Sequence, residues 1–433
     1  MAHQAHNIPW TLLAQNLSLR SHIPCKHGAT DFHWRQKPSQ GKELTHFVKA
    51  FIKNIGDHAI SERQKFPAEY PPLQSEDIVV SDETCRKIAP TLRHFRSLDG
   101  HNPPARSIYT ICPHKDESTS SETCKCDLSW NDRKLKSFMR QKRGNACYRF
   151  YDENGQAFFS LEVFKTMLMY GETDTILKIY SQPGHSLAEW WVARLCYDTD
   201  DSIGWNIVCI LALKSYLVLN LILLFPDTWT GAEGGKSYLD TKVYQNMVRT
   251  VTKPRSDSDL PTFPHRQFYG IADDHFQEAW TYHPNGDPAK SKLMCSRFYP
   301  SGRISYHDML GLGKPGPRMS TDREIDDIHG ILQQKGLPVE LSDMILCMAG
   351  IDNVRLRRLP IEHDPLHPQN REELGKYLKF CWALLVRCEV VARVIGLNID
   401  WEDMVTEALV QLFDCSSHRS YRFEVDTYRH LFT

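Results

Sequence analysis

The sequence is short of net charge. Its 52 lysines and arginines stand against 53 aspartates and glutamates, so no overall field draws the chain to nucleic acid or to an acidic membrane surface. Any such contact would be local. The first residues, Met-Ala-His-Gln-Ala-His-Asn, lack the basic and apolar segments of a secretory leader. The thirteen cysteines are odd in number and scattered, which argues against a disulfide framework. The expectation is an intracellular chain, cytoplasmic or nuclear, with reduced thiols. Most cysteines, such as Cys381 and Cys388 in an apolar helical pattern, then serve as small core residues.

Complete chemical motifs are also missing. His22, Cys25, His27 and His33 cluster near the N-terminus without a second pair at regular spacing. The best metal-like group is Cys112, His114, Cys124 and Cys126. Zinc thiolate sites favour two residues between cysteines, so that both sulfurs can turn to one ion, and Cys124-Lys-Cys126 has one. The expectation is a loop with incidental thiols and no cofactor, structural zinc being the alternative. His114-Lys-Asp116 matches the His-x-Asp of a non-haem iron triad at a spacing that chance also supplies. Thr230-Gly-Ala-Glu-Gly-Gly-Lys-Ser237 approaches a phosphate-binding loop, but Thr230 stands where the first glycine is needed. It reads as a glycine-rich turn.

What is present is ordinary globular material: 41% hydrophobic and 24% charged residues in a chain long enough for two or three cores. The pattern predicts an α+β fold, predominantly helical, with antiparallel aromatic hairpins and a C-terminal four-helix region. It divides into an N-terminal helical and loop region (1–128), a central α+β region (129–319), a C-terminal helical module (320–414) and a tail (415–433). Leu44, Phe47, Val48, Phe51, Ile52 and Ile55 give one helical face that ends at Gly56. Ser81-Asp-Glu-Thr starts a helix that Pro90 interrupts. Asp132 to Arg143 carries six basic residues with Leu135, Phe138 and Met139 between them, which fits a helix with a solvated basic face better than a phosphate contact.

Cys147 to Phe164 reads as a hairpin turning at Asn154-Gly155, and aromatic hairpins recur around Gly286 and Gly302. Ser186-Leu-Ala-Glu189 is a capping box that opens a helix through Trp190, Trp191 and Leu195. Residues 207–225 are long and apolar enough to cross a bilayer, but Lys214 lies near the middle. A buried central helix is the favoured reading and a membrane span the alternative.

The C-terminal part holds the most specific stretch. A helix through Ile325, Ile328 and Ile331 stops at Lys335-Gly336; the next begins at Pro338 with Glu340 in its first turn and the stripe Leu341, Met344, Ile345, Met348. Two more helices, Leu374 to Ile395 and Asp400 to Leu412, complete a bundle. Leu337-Pro-Val-Glu340-Leu341 followed by Ile345-Leu346 resembles the first helix of an F-box. That resemblance implies docking of a Skp1-type adaptor through Leu337, Pro338, Glu340, Leu341 and Ile345. A wider stretch, including Asp364-Pro-Leu-His-Pro368, Lys376 to Trp382 and Leu385-Val-Arg-Cys388, resembles a family of ascomycete fungal proteins and implies no activity.

The leading functional expectation is an intracellular protein-interaction or adaptor protein. One alternative is an accessory enzyme of fungal secondary metabolism whose site gathers His114, Asp116, His265, His275 and Glu278 from separate parts of the chain. The other is a membrane-anchored protein.

Overall fold

A helix that is apolar on every side can be satisfied in water only by being surrounded. The computed structural model of the chain is built on that requirement. It describes residues 8–19, 30–35, 41–98, 128, 130–143, 150–195, 198–225, 238, 241–252, 260–269, 322–349, 366 and 370–413. These hold thirteen α-helices: α1 (Trp10–Gln15), α2 (Lys42–Arg63), α3 (Asp82–Leu98), α4 (Leu135–Phe138), α5 (Phe150–Tyr170), α6 (Thr173–Tyr180) and α7 (Asn206–Leu224), then α8 (Lys242–Thr252), α9 (Phe263–Tyr269), α10 (Asp322–Gln334), α11 (Val339–Met348), α12 (Arg371–Val394) and α13 (Trp401–Phe413). Two small antiparallel pairs join them, β1 (Leu17–Leu19) with β2 (Phe32–Trp34) and β3 (Arg194–Leu195) with β4 (Asp198–Ser202). The fold is α+β and predominantly helical.

α7 is the central helix. Fifteen of its nineteen residues are buried, and α1, α8, α12 and α13 pack around it. It is the one described helix long and apolar enough to cross a membrane, and here its lipid-like surface is covered by protein. Rings lock the layers together: Tyr216 of α7 lies 5.5 Å from Trp10 of α1 and 5.2 Å from Trp382 of α12, which meets Phe51 of α2 edge-on at 5.5 Å. Edge-to-face pairs of this kind add about 0.5–1.5 kcal/mol each beyond the area they bury. The buried apolar residues from Ile8 to Phe413, Phe263 and Leu346 apart, form one connected cluster. α12 and α13 belong to it, packing on α2 and α7, whereas α10 and α11 pack on each other.

Several local expectations give way to tertiary context. Residues 150–170 form one helix, not the second half of a hairpin. Asn154 uses its amide to accept from the backbone N–H of Arg143 at 2.6 Å and to donate to its carbonyl at 2.5 Å, so its turn chemistry serves an incoming strand of chain. Phe158, Phe159, Leu161, Val163 and Phe164 are all buried, and such all-round burial erases the helical period in the sequence. The aromatic hairpins expected around Gly286 and Gly302 lie outside the described residues. α3 runs through position 90 to Leu98, its buried Cys85, Ile88 and Leu92 offsetting the hydrogen bond that a proline removes. Its expected start holds, with the N–H of Thr84 donating to Ser81 Oγ at 3.1 Å.

α2 passes Gly56 and ends seven residues later, where the Arg63 guanidinium donates to the carbonyls of Phe66, Pro67 and Ala68. Ser186 opens a single 3-10 turn, Leu187–Trp190, and its hydroxyl donates to the Arg140 carbonyl, not to its own helix. The basic stretch before residue 143 is helical only over Leu135–Phe138. Three of its cations are spent on ion pairs, Arg133 with Asp82 and Lys134 and Lys136 with Glu76. Gly204 is held by close approach: a Cβ there would stand 2.3 Å from the Trp191 carbonyl oxygen and 2.7 Å from the Ala193 nitrogen.

Candidate functional site

Gly336 is the hinge of the most exposed feature. Its φ of +84° lets the chain reverse, with Leu337 N–H donating to the Leu332 carbonyl at 3.1 Å and Gly336 N–H to the Gln333 carbonyl at 2.9 Å. This is the Schellman pattern, in which glycine avoids the Cβ penalty of the left-handed region. α11 then starts one residue after Pro338, whose carbonyl accepts from both the N–H and the hydroxyl of Ser342 at 3.1 Å. His329 Nε2 lies 3.3 Å from Asp343 Oδ1 and clips α10 to α11.

The orientation of α11 decides what this hairpin offers. Ser342 and Leu346, four residues apart, are the buried side. The apolar stripe of Leu341, Met344, Ile345 and Met348 points away from the protein, with Met348 83% exposed and Met344 57%. Val339 of α11 and Ile331 of α10 are exposed as well. Six of the nine exposed large hydrophobic side chains among the described residues lie on this one hairpin, and apolar side chains gathered in one place are what a monomer rarely leaves uncovered. Its flanks carry Asp327, Glu340 and Asp343, all exposed, against Lys335 at the turn. Of the residues singled out for docking, Pro338, Glu340, Leu341 and Ile345 are exposed and Leu337 is half-buried.

The titratable groups in the core are closed off. His265 of α9, 1% exposed, hydrogen-bonds through Nδ1 to Tyr377 Oη at 2.5 Å, and Tyr377 donates to Ser215 Oγ at 3.4 Å. Phe268 stacks on Tyr377 at 3.8 Å. Burial pushes the His265 pKa down to about 3, so the imidazole is neutral. Burial raises the phenols of Tyr377 and Tyr269 and the thiol of Cys381 well above their ordinary ranges. The group is a set of neutral donors and acceptors that joins α7, α9 and α12. Of the residues expected to gather into a non-local site, His265 is the one described; His114, Asp116, His275 and Glu278 lie outside the described residues.

Two other buried acidic side chains, Glu162 and Glu389, are held by partners. Lys165 and Glu162 of α5 are both 0% exposed and meet at 2.8 Å, and Lys165 also donates to the Ile203 carbonyl at 2.6 Å. Glu389 of α12 accepts from Trp401 Nε1 at 2.7 Å and from Arg393 Nε at 2.6 Å, which ties α13 to α12. The spacing of Glu162 and Lys165 was visible in the sequence, but a three-residue separation reads as a solvated pair unless the neighbours are known to be buried. Cys112, His114, Cys124 and Cys126 lie outside the described residues, as do His22, Cys25 and His27; His33 is buried in β2. The described residues contain no group of three or more side chains able to hold a metal ion.

The fold and this surface define a predominantly helical protein with a sealed aromatic core and one uncovered apolar hairpin. A family model described as gramillins biosynthetic cluster protein GRA5 matches residues 11–423, and the chain belongs to that family. Its setting is fungal secondary metabolism. No curated protein and no solved structure matches the chain.

Proposed function

We propose that the chain is an intracellular accessory protein of a fungal secondary-metabolite cluster, and that it works by holding a protein partner on the α10–α11 hairpin. The family supports the setting. The observation that carries the mode of action is the outward-facing stripe of Leu341, Met344, Ile345 and Met348, since elsewhere among the described residues the exposed large hydrophobic side chains, Ile60, Trp130 and Val192, are scattered singly. Exposing such a surface costs solubility, and a covering partner removes that cost. The acidic flank of Asp327, Glu340 and Asp343 suits a partner helix that is apolar on one side and basic at its edges.

A second reading takes the partner to be a Skp1-type adaptor. It is favoured by one observation, that Leu341 and Ile345 of the F-box-like stretch are solvent-facing and not consumed by the core.

The test is pairwise co-purification of the full chain with each protein encoded in its cluster and, separately, with Skp1. A Leu341→Asp, Met344→Asp variant serves as control. One cluster protein is expected to co-elute with the wild type and to be lost with the variant, whose circular dichroism and melting temperature stay unchanged. A producing strain carrying the folded variant that still makes the metabolite at the wild-type level would overturn the proposal. Binding of Skp1, and of no cluster protein, would move the function to the second reading.

A further inference from the structure

Methionine is an apolar side chain that one oxygen atom turns polar, and the change can be undone. Among the described residues the methionines fall into two sets. Met167 and Met247 are 0% exposed and Met169 is 1% exposed, while Met139 and Met404 are half-buried against the core. Two of these sulfurs also accept a hydrogen bond, Met247 Sδ from Tyr269 Oη at 3.7 Å and Met404 Sδ from the Cys209 thiol at 3.6 Å. The second set is Met344 and Met348, 57% and 83% exposed.

An oxidant has to reach the thioether sulfur, so susceptibility follows exposure. The two exposed sulfurs are also the two that matter for the surface. Four residues apart, Met344 and Met348 lie one turn from each other on the same side of α11, and they make up half of the outward stripe whose other members, Leu341 and Ile345, lack this chemistry. A sulfoxide oxygen there would have to be buried without a donor against any apolar cover, which opposes docking.

We propose that Met344 and Met348 form a reversible oxidation site that switches the α11 stripe from apolar to polar. The oxidant is a peroxide: the sulfur lone pair attacks one peroxide oxygen, an S–O bond forms, the O–O bond breaks, and the other oxygen leaves as water. Sulfur is oxidised and the peroxide reduced. The reverse step takes a sulfoxide reductase, which returns the thioether while a pair of thiols becomes a disulfide and the oxygen leaves as water. The consequence for binding rests on the partner reading above: a bound partner shields both sulfurs, and oxidation of the free chain blocks the partner, so the two events oppose each other reciprocally.

The test treats the full chain with hydrogen peroxide, clears cysteine oxidation with a thiol reductant, and follows each methionine by peptide mass spectrometry. Met344 and Met348 are expected to oxidise about tenfold or more faster than Met167, Met169 and Met247. Retention on a phenyl column is expected to fall with their oxidation, to return after methionine sulfoxide reductase, and to stay constant in a Met344→Leu, Met348→Leu variant. For the cluster protein that co-elutes with the untreated chain, affinity is expected to drop about tenfold or more on oxidation, the value of losing a buried methionine contact, and to survive peroxide in the leucine variant. Oxidation of Met344 and Met348 no faster than of Met167, unchanged retention of the oxidised chain, or equal loss of retention in the leucine variant would each overturn the proposal. A chain that passes both of those measurements and binds no cluster protein would sink the partner reading and leave the oxidation site standing.

Discussion

Glu162→Gln is the most direct probe of the core. It keeps the side chain's shape and removes the counter-charge of Lys165, whose ammonium is 0% exposed and 2.8 Å from Glu162 Oε1. Breaking a buried pair from one side costs about 3–5 kcal/mol. Unfolding entropy of about 2.1 cal/mol/K per residue gives a chain of this length about 0.9 kcal/mol/K, so the melting temperature falls by about 4 °C. Lys165→Met is expected to cost a similar amount, since it leaves a carboxylate buried.

The double variant Glu162→Leu, Lys165→Met removes both charges of the pair. It deprives the Ile203 carbonyl of the 2.6 Å bond from Lys165, a loss of about 1–3 kcal/mol, and gains apolar packing. It is therefore expected to be more stable than either single variant. Urea unfolding followed by circular dichroism measures all three. Single variants within about 1 kcal/mol of the wild type, or a double variant as unstable as the two losses added, would refute the reasoning.

Acid titration tests His265. Its folded pKa of about 3 lies below the unfolded value of about 6.5, so the folded state binds the proton more weakly. The stability this neutral imidazole contributes is fully present above about pH 6.5 and is lost as the pH falls towards 3, by about 1.4 kcal/mol per unit. His265→Gln is expected to flatten the slope of stability against pH by that amount between pH 6 and 4, and an unchanged slope would show that the group is hydrated. Gly204→Ala drives a methyl into two backbone atoms, 2.3 and 2.7 Å away, and is expected to cost about 3 kcal/mol or more, read as loss of soluble protein or of melting temperature. Trp401→Phe removes the 2.7 Å bond to Glu389 and is expected to cost about 1.5–3 kcal/mol, the value of a hydrogen bond to a charged group, in the same urea titration.

Local signals with a chemical cause were readable from the chain alone. Gly336 ends α10 because a left-handed residue is needed there, and φ is +84°. Ser81 starts α3 because its hydroxyl accepts from Thr84 N–H. The stripe at 341, 344, 345 and 348 was visible as a helical period, and so was the apolar run that became α7. Signals that depend on surroundings were not readable. Gly56 and Pro90 look like stops, yet α2 and α3 continue, α2 burying Phe51, Ile55 and Ala59 on both sides of Gly56 and α3 burying Ile88 and Leu92 on both sides of position 90. The segment at 150–170 shows aromatics without a period because α5 is covered on every side from Ala157 to Tyr170.

The functional surfaces divide in the same way. The sequence alone determined that an amphipathic helix follows Gly336, because spacing and helix geometry suffice for that. Whether its stripe faces in or out was beyond it, since burial depends on where α12 goes. The tertiary structure sends α12 to α2 and α7 and leaves Leu341, Met344, Ile345 and Met348 in solvent. It also brings Ser137 and Arg140 to the wall of one cleft with Ser160, Tyr180 and Trp190, from stretches too far apart in the chain for any local spacing rule to hold.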